Sequence, residues 1–111
     1  MLRQVIVPVL LCSLAWPLAA AEPLAFDGAA WRAAKGQVGA GNPRAGMLDA
    51  LEQSHSIAGK TRGEVHALLG LPDLRERRAE HYALGDGGEC SDYVIDYDSA
   101  NHATGARRIC D

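Results

Sequence analysis

The segment that begins at Thr61 constrains the fold of this chain most, because both ends of a helix are marked in it. Thr61 is followed three residues later by Glu64, the spacing of a capping box in which each side chain accepts an otherwise unpaired backbone N–H. Three apolar residues then recur at helical spacing: Val65, Leu68 and Leu69. Gly70 suits a left-handed conformation after the last turn, and Pro72 prevents the helix from continuing. The pattern predicts a helix over residues 61–69 that packs on another element and carries no catalytic chemistry of its own.

Residues 1–21 have the features of a secretory signal peptide. Arg3 supplies the positive charge, residues 5–15 are an apolar run interrupted by Pro8, and small residues at 19–21 suit signal peptidase. We predict cleavage after Ala21 and a periplasmic or secreted protein, with no stable membrane insertion afterwards. A transmembrane anchor is the alternative, but the apolar run is shorter than the ~20 residues that span a bilayer.

Cys12 raises the alternative of a lipid anchor. A bacterial lipoprotein signal has a small residue before its cysteine, whereas Leu11 occupies that position. We therefore expect Cys12 to leave with the signal peptide. The remaining ~90 residues suffice for one small domain with a thin core. The expected division is an N-terminal segment, 22–41, and a domain over 42–111.

Charge argues against a nucleic-acid partner. The formal net charge is −3, and the basic residues form no run beyond 75–78, where Glu76 interrupts them. We expect another envelope protein as the partner, and the sequence contains no evident site for a small molecule or cofactor.

Cys90 and Cys110 are an even pair in an exported small domain, which predicts a disulfide. Residues 91–98 alternate as a half-buried strand does, residues 99–101 suit a turn, and residues 103–110 form the returning strand. The alternative is a redox-active pair, which the wide spacing and the strand context disfavour because such pairs are usually close, as in C-x-x-C.

A hairpin centred on Ala100 places Cys90 opposite Cys110. The same register predicts three further cross-strand pairs: Asp92 with Arg108, Tyr93 with Arg107, and Ile95 with Gly105. A slip of one residue would break all of them.

The residues before Thr61 predict two more helices. Asp27 is a candidate N-cap for a short helix over 28–34, followed by a glycine-rich flexible link over 35–41. Asn42 and Pro43 suit the N-cap and the first position of a second helix, which runs to about Ser54. Its buried residues are expected to be Met47, Leu48 and Leu51, with Phe26 and Trp31 packed beside them.

After Pro72, residues 73–76 suit a turn, residues 77–84 a first strand and residues 85–88 a hairpin loop. We predict an α+β fold in which two helices pack on one face of a three-stranded antiparallel sheet, preceded by the signal peptide and the short N-terminal helical segment. The covered face would contain Tyr82, Leu84, Tyr93, Ile95, Tyr97 and Ile109. The solvated face would contain Asp92, Val94, Asp96, Thr104 and Arg108.

The order of these elements, together with the helix motif from Ile57 and Gly59 to Gly70 and Pro72, resembles the SmpA/OmlA group, or BamE-like domains. The resemblance implies a two-helix, three-strand fold (ααβββ) in a bacterial envelope protein with a scaffold or binding role. That group includes an accessory subunit of the outer-membrane β-barrel assembly machine, from which this chain differs by its lack of a lipidation site. A similar architecture in secreted β-lactamase inhibitor proteins makes protein inhibition an alternative.

The sequence contains no recognisable catalytic motif. None of the four histidines is in an H-x-x-x-H arrangement, and no G-x-S-x-G or phosphate loop is present. We therefore predict a structural or protein-binding role and no enzyme activity. The alternative is an enzyme or a metal-binding accessory protein that uses histidines and aspartates, with His81, His102 and Asp96 as the candidates. The residues that the helix motif leaves exposed, and hence a candidate interaction surface, are Lys60, Arg62 and His66. The flexible stretch before Asn42 is the alternative surface, and the sequence does not choose between the two.

Overall fold

The computed structural model describes residues 25–110, which form three helices and one antiparallel sheet. The helices are α1 (Gly28–Ala33), α2 (Arg44–Ser54) and α3 (Arg62–Leu69). The strands are β1 (Leu74–Arg75), β2 (Ala79–Ala83), β3 (Cys90–Tyr97) and β4 (Ala103–Cys110). The predicted signal peptide, its cleavage site and Cys12 lie outside the described residues. None of the three described helices has the length and apolar character needed to cross a membrane.

Side-chain caps explain where two helices begin. Thr61 Oγ1 accepts the Glu64 backbone N–H at 3.1 Å, and Glu64 Oε1 accepts the Thr61 N–H at 2.8 Å, so the predicted capping box is confirmed. At the end of α3, Gly70 has a φ of 78°, which favours glycine. Asp27 Oδ1 caps α1 through the Ala30 N–H at 3.1 Å.

Asn42 acts as predicted at the start of α2, although the helix begins slightly later than expected. Its Oδ1 accepts the Arg44 N–H at 2.9 Å, while Pro43 takes the N-cap position and Arg44 is the first helical residue. Differences of one residue at helix ends are common, since the first turn lacks some of its backbone hydrogen bonds.

The sheet has four strands in the order β1-β2-β3-β4, so the prediction of three strands is wrong by one. Residues 73–76, predicted as a turn, contain the two-residue strand β1, which pairs with His81 and Glu80 of β2. β2 itself is confined to Ala79–Ala83. Side-chain alternation could not reveal β1, because both of its residues are exposed.

One hydrophobic core joins all three helices to one face of the sheet. Trp31 lies at its centre, with ring centroids 6.1 Å from Tyr82 and 6.0 Å from Tyr93. The other fully or nearly fully buried members include Met47, Leu48, Leu51, Val65, Leu69, Leu84, Ile95 and Tyr97. The predicted inward residues of α2 and of the first two long strands are thus confirmed, and Trp31 belongs to the same core.

The predicted β3–β4 register is wrong in its middle by one residue. Cys90 faces Cys110 as expected, but between two irregularities the partners become Asp92 with Ile109, Tyr93 with Arg108, Ile95 with Ala106 and Asp96 with Gly105. The two irregularities compensate each other, which is why the cysteines still meet.

This shift moves side chains of β4 to the opposite face from the one predicted. Directly opposite residues project on the same side of a sheet, so Arg108 lies with Tyr93 on the helix side and Ile109 with Asp92 on the outer side. Val94, predicted on a solvated face, is fully buried between its cross-strand neighbours His81 and Arg107.

Candidate functional site

A fully buried carboxylate, Glu80, is the most heavily bonded side chain in the described part of the protein. Its Oε2 accepts hydrogen bonds from Arg62 Nη1 at 2.8 Å and Arg75 Nε at 3.0 Å. Its Oε1 is 2.8 Å from His66 Nε2 and accepts the Tyr97 hydroxyl at 2.9 Å. These five residues are called the Glu80 cluster below, and they join α3, β1, β2 and β3.

The cluster holds Glu80 in its ionised form. Burial raises the pKa of the carboxyl, but the hydrogen bonds from His66, Tyr97 and Arg62 outweigh that effect and bring the pKa below its ordinary value. Because an ionised carboxylate only accepts hydrogen bonds, His66 Nε2 carries the proton in this contact. Burial and contact with Glu80 raise the pKa of Tyr97 far above its ordinary value, so its phenol remains a donor.

A second buried charge, Arg44, connects the N-terminal segment to the sheet. Its Nε donates to the Trp31 carbonyl at 2.8 Å, and its Nη1 donates to Asp73 Oδ2 at 2.7 Å and to the Ala83 carbonyl at 3.1 Å. The guanidinium also lies over the Trp31 ring, 5.1 Å from its centroid. Its Nη2 has no partner among the described residues.

Asp73 completes this connection from the other side. Its Oδ1 accepts the Gly36 N–H at 2.7 Å, and its Oδ2 accepts the Ala83 N–H at 2.9 Å as well as the Arg44 contact. Burial raises the pKa of this carboxyl, but the hydrogen bonds from Ala83, Arg44 and Gly36 bring it below its ordinary value. The glycine-rich segment is thereby attached to the residues around β1 and β2.

The three residues proposed as an interaction surface have different environments. Arg62 and His66 point to Glu80, and Arg62 also lies 4.0 Å above the centroid of the Tyr97 ring. About a fifth of the surface of each of these two side chains is exposed to solvent, 19% for Arg62 and 20% for His66. Lys60 is half-buried, and its carbonyl accepts the Ala103 N–H at 2.8 Å. A role for these residues in binding stays a prediction.

The histidines and aspartates considered for metal binding are engaged separately. His81 Nε2 is 2.7 Å from Glu76 Oε1, and Asp96 forms a two-point ion pair with Arg107 at 2.8 and 3.2 Å. The backbone N–H of His102 donates to Asp98 in the β3–β4 turn at 3.0 Å. Within residues 25–110, no three His, Cys, Asp or Glu side chains are arranged to hold a metal ion.

Cys90 and Cys110 lie at the open ends of β3 and β4. Their Cα atoms are 3.8 Å apart and their sulfur atoms are within bonding distance, so the structure contains the predicted pair as a disulfide. The bond joins the two strands at the end opposite the hairpin turn.

A surface cleft of about 250 Å³ opens beside β4, and it is called the edge cleft below. Residues 55–58, from the α2–α3 connection, line one side, and Gly105 and Ala106 of β4 line the other. The buried side chains of Ile57 and Tyr93 contribute its apolar part, and Glu52 lies at its polar margin. This recess is large enough to receive a side chain from another molecule.

Sequence reasoning missed both Glu80 and Arg44 as structural centres. A signal for Glu80 was present, because it alternates with Tyr82 and Leu84 and so must face the helices. A charged residue at such a position requires buried partners. For Arg44 no local signal existed, since its partners Trp31, Asp73 and Ala83 are distant in the chain.

No protein-family model matches this chain, and comparisons with curated proteins and with solved structures also give no significant match.

Proposed function

We propose that this chain is a small exported envelope protein that binds another protein and carries out no catalysis. The observation that supports this most is how the polar groups are distributed. Glu80 and Arg44, the two fully buried charges among residues 25–110, are bonded to other elements of the fold. The edge cleft and the neighbouring backbone of β4 remain accessible to another molecule.

The arrangement of Glu80 supports a structural role for the charged cluster. A general acid or base needs a pKa near the working pH and access to a substrate proton. The Glu80 carboxyl has a lowered pKa, is fully buried and has both oxygens occupied by donors. A group bonded in this way stabilises the contact of α3 with the sheet.

The cellular location of the protein, outside the cytoplasm, is part of the same proposal. The signal-peptide features of residues 1–21 and the Cys90–Cys110 disulfide both suit an oxidising compartment outside the cytoplasm. The resemblance to the SmpA/OmlA group supports an envelope role as well.

Partner capture followed by a binding measurement tests this function. The oxidised protein is immobilised, exposed to a periplasmic extract of the native host and crosslinked, and each retained protein is then purified and titrated by calorimetry. We expect one partner to bind saturably. Protein denatured in urea before immobilisation is the control. If no purified candidate binds saturably to the folded protein, for extracts from any growth condition, the proposed function is wrong.

A further inference from the structure

The β4 edge has backbone groups that no described residue uses. The backbone of Ser91 and of Tyr97 hydrogen-bonds to the residues that flank β2, at 2.9 Å in both cases. In an antiparallel sheet the direction of the backbone groups alternates, so the residues between them bond to β4 through Gly105, Arg107 and Ile109. The peptide groups of Ala106 and Arg108 then face away from β3, towards the open edge.

The chain itself already pairs with the beginning of this edge. The Gly59 N–H donates to the Ala103 carbonyl at 2.8 Å, and the Ala103 N–H donates to the Lys60 carbonyl at 2.8 Å. Thr61 and His102 form an isolated antiparallel bridge beside them. The α2–α3 connection therefore acts as a short fifth strand up to Ala103, and no described residue continues it along Ala106 and Arg108.

The edge cleft lies where this short strand ends. A strand added to β4 would place the residue opposite Ala106 on the helix side, because Ala106 faces the same side as Ile95. That side chain would enter the edge cleft against Ile57 and Tyr93, whose exposed fractions are 6% and 1%. An apolar side chain suits this position, and about 250 Å³ accommodates a ring as large as that of phenylalanine.

The positive charge of the β4 edge indicates which residue of an added strand should lie opposite Arg107. β4 contains Arg107 and Arg108 but no acidic residue. Arg108 is bound by Asp49 at 2.9 Å and Glu52 at 2.7 Å, on the helix side. Arg107 faces the outer side, is bound through Nε and Nη2 by Asp96, and has no described partner at Nη1. An acidic side chain opposite Arg107 would form a favourable cross-strand pair.

We propose that the partner contributes an extended peptide segment that adds to β4 as a strand, with an apolar residue opposite Ala106 and an acidic residue opposite Arg107. This inference rests on the proposed function and specifies its partner chemistry. Backbone hydrogen bonds supply part of the affinity in such strand addition, and the pocket and the charge supply selectivity.

Synthetic peptides test the proposal directly. The probe is an eight-residue peptide of alternating Thr and Val with a central Asp-Phe, the order in which an antiparallel strand places Phe opposite Ala106 and Asp opposite Arg107. It is titrated into the oxidised, ¹⁵N-labelled protein and followed by NMR. We expect saturable shifts at the amides of Ala106 and Arg108. Replacing Phe by Ala, or Asp by Lys, should weaken binding by about fivefold or more, and N-methylation of the residue opposite Ala106 should do the same. Equal binding of all four peptides, or shifts confined to other surfaces, would contradict strand addition.

Two protein variants separate the pocket from the charge. Ser56→Trp, at an exposed residue lining the edge cleft, should block the Phe side chain and abolish the preference for Phe over Ala. Arg107→Glu should reverse the preference to Lys, whereas Arg77→Glu, the same change at an exposed residue outside β4, should leave it unchanged. If Arg77→Glu has the same effect as Arg107→Glu, long-range charge accounts for binding and the proposal is wrong.

The same variants distinguish this inference from the proposed function. A captured partner that binds Ser56→Trp and Arg107→Glu as tightly as the original protein would disprove strand addition at β4 while leaving the protein-binding function intact. Concentration-dependent shifts at Ala106 and Arg108 without peptide, not displaced by it, would identify a second copy of this chain as the occupant and overturn the peptide proposal.

Discussion

Glu80 shows how one residue can determine the arrangement of several elements. A fully buried carboxylate is costly unless it is bonded on both oxygens, and here donors from α3, β1 and β3 meet that requirement together. Removing Glu80 would leave two arginines and a histidine facing each other around an apolar core. Replacing the whole Glu80 cluster by apolar residues should lower the stability less than removing Glu80 alone, because no charge is then left unpaired.

Glu80→Gln should therefore destabilise the protein by about 3 kcal/mol, near the lower end for a broken buried ion pair because Arg62 and His66 are partly exposed. Urea denaturation measures this change as a shift in the unfolding midpoint. Glu89→Gln, at an exposed glutamate in the β2–β3 loop, is the matched control and should change stability little. Equal effects of the two substitutions would show that the Glu80 cluster does not stabilise the fold.

The lowered pKa of Glu80 also predicts acid sensitivity. A carboxyl whose pKa is lower in the folded state stabilises the protein above its unfolded value, here the ordinary 4.5, and loses that contribution as pH falls towards the folded pKa. The unfolding midpoint should thus decrease below about pH 4.5, and Glu80→Gln should flatten that decrease. Asp73, whose pKa is also lowered, should still make the stability of the Glu80→Gln variant fall with pH below the ordinary Asp73 pKa of 3.8. An identical acid profile in Glu80→Gln would contradict the assignment.

At the scale of elements, glycines mark where helices and loops approach each other. Gly85, directly after Leu84, has a φ of 75°, and a Cβ there would collide with the Gly39 carbonyl oxygen and lie 2.7 Å from the Cβ of Asn42. Gly39 in turn accepts the Asn42 and Asp86 N–H groups, each at 3.3 Å. The glycine-rich segment, predicted as a flexible link, is thus held against the loop after β2.

Gly85→Ala should destabilise the protein by about 2–4 kcal/mol, because both the left-handed backbone and the close contact oppose a side chain. Gly63→Ala is the opposite case: Gly63 lies in α3, and a Cβ there meets only Thr61 Oγ1 at 4.0 Å. It should stabilise the protein by about 0.5–1 kcal/mol through helix propensity. Thermal unfolding of both variants checks the prediction, which fails if their melting temperatures shift in the same direction.

On the scale of the whole molecule, a short covalent link and a two-residue strand complete the sheet at its ends. The Cys90–Cys110 bond closes one end of the β3–β4 hairpin, while β1 extends the sheet beyond β2 and brings Arg75 to Glu80. A domain of this size has a small net free energy of unfolding, since its core is small. One disulfide therefore contributes a large share of that free energy.

Replacing both cysteines, as Cys90→Ser with Cys110→Ser, should lower the free energy of unfolding by about 3 kcal/mol, chiefly because the unfolded chain gains freedom. Urea denaturation of the oxidised protein, the reduced protein and the double variant measures the effect. The reduced protein and the double variant should agree. Mass spectrometry of the purified protein that finds two free thiols would contradict the disulfide itself.

The sequence by itself determined the features that depend on neighbours in the chain. The capping box at Thr61, the positive φ of Gly70 and the pairing of Cys90 with Cys110 all follow from residue spacing, and the structure contains them. Alternation likewise predicted which side chains of β2 and β3 face the helices. Local hydrogen bonding and side-chain periodicity decide these features, so a short window of residues is enough.

Only the tertiary structure decided the rest. The irregularities in β3–β4 turn Arg108 towards α2, where it binds Asp49 and Glu52, which are more than fifty residues away in the chain. β1 exists because Leu74 and Arg75 meet β2, and Glu80 is acceptable in the core because three elements bring donors to it. The open edge of β4 and its cleft are likewise products of where the α2–α3 connection pairs with the beginning of β4 and where that pairing stops. Such features depend on which distant groups satisfy each buried charge and each backbone N–H, and sequence periodicity contains no record of those partners.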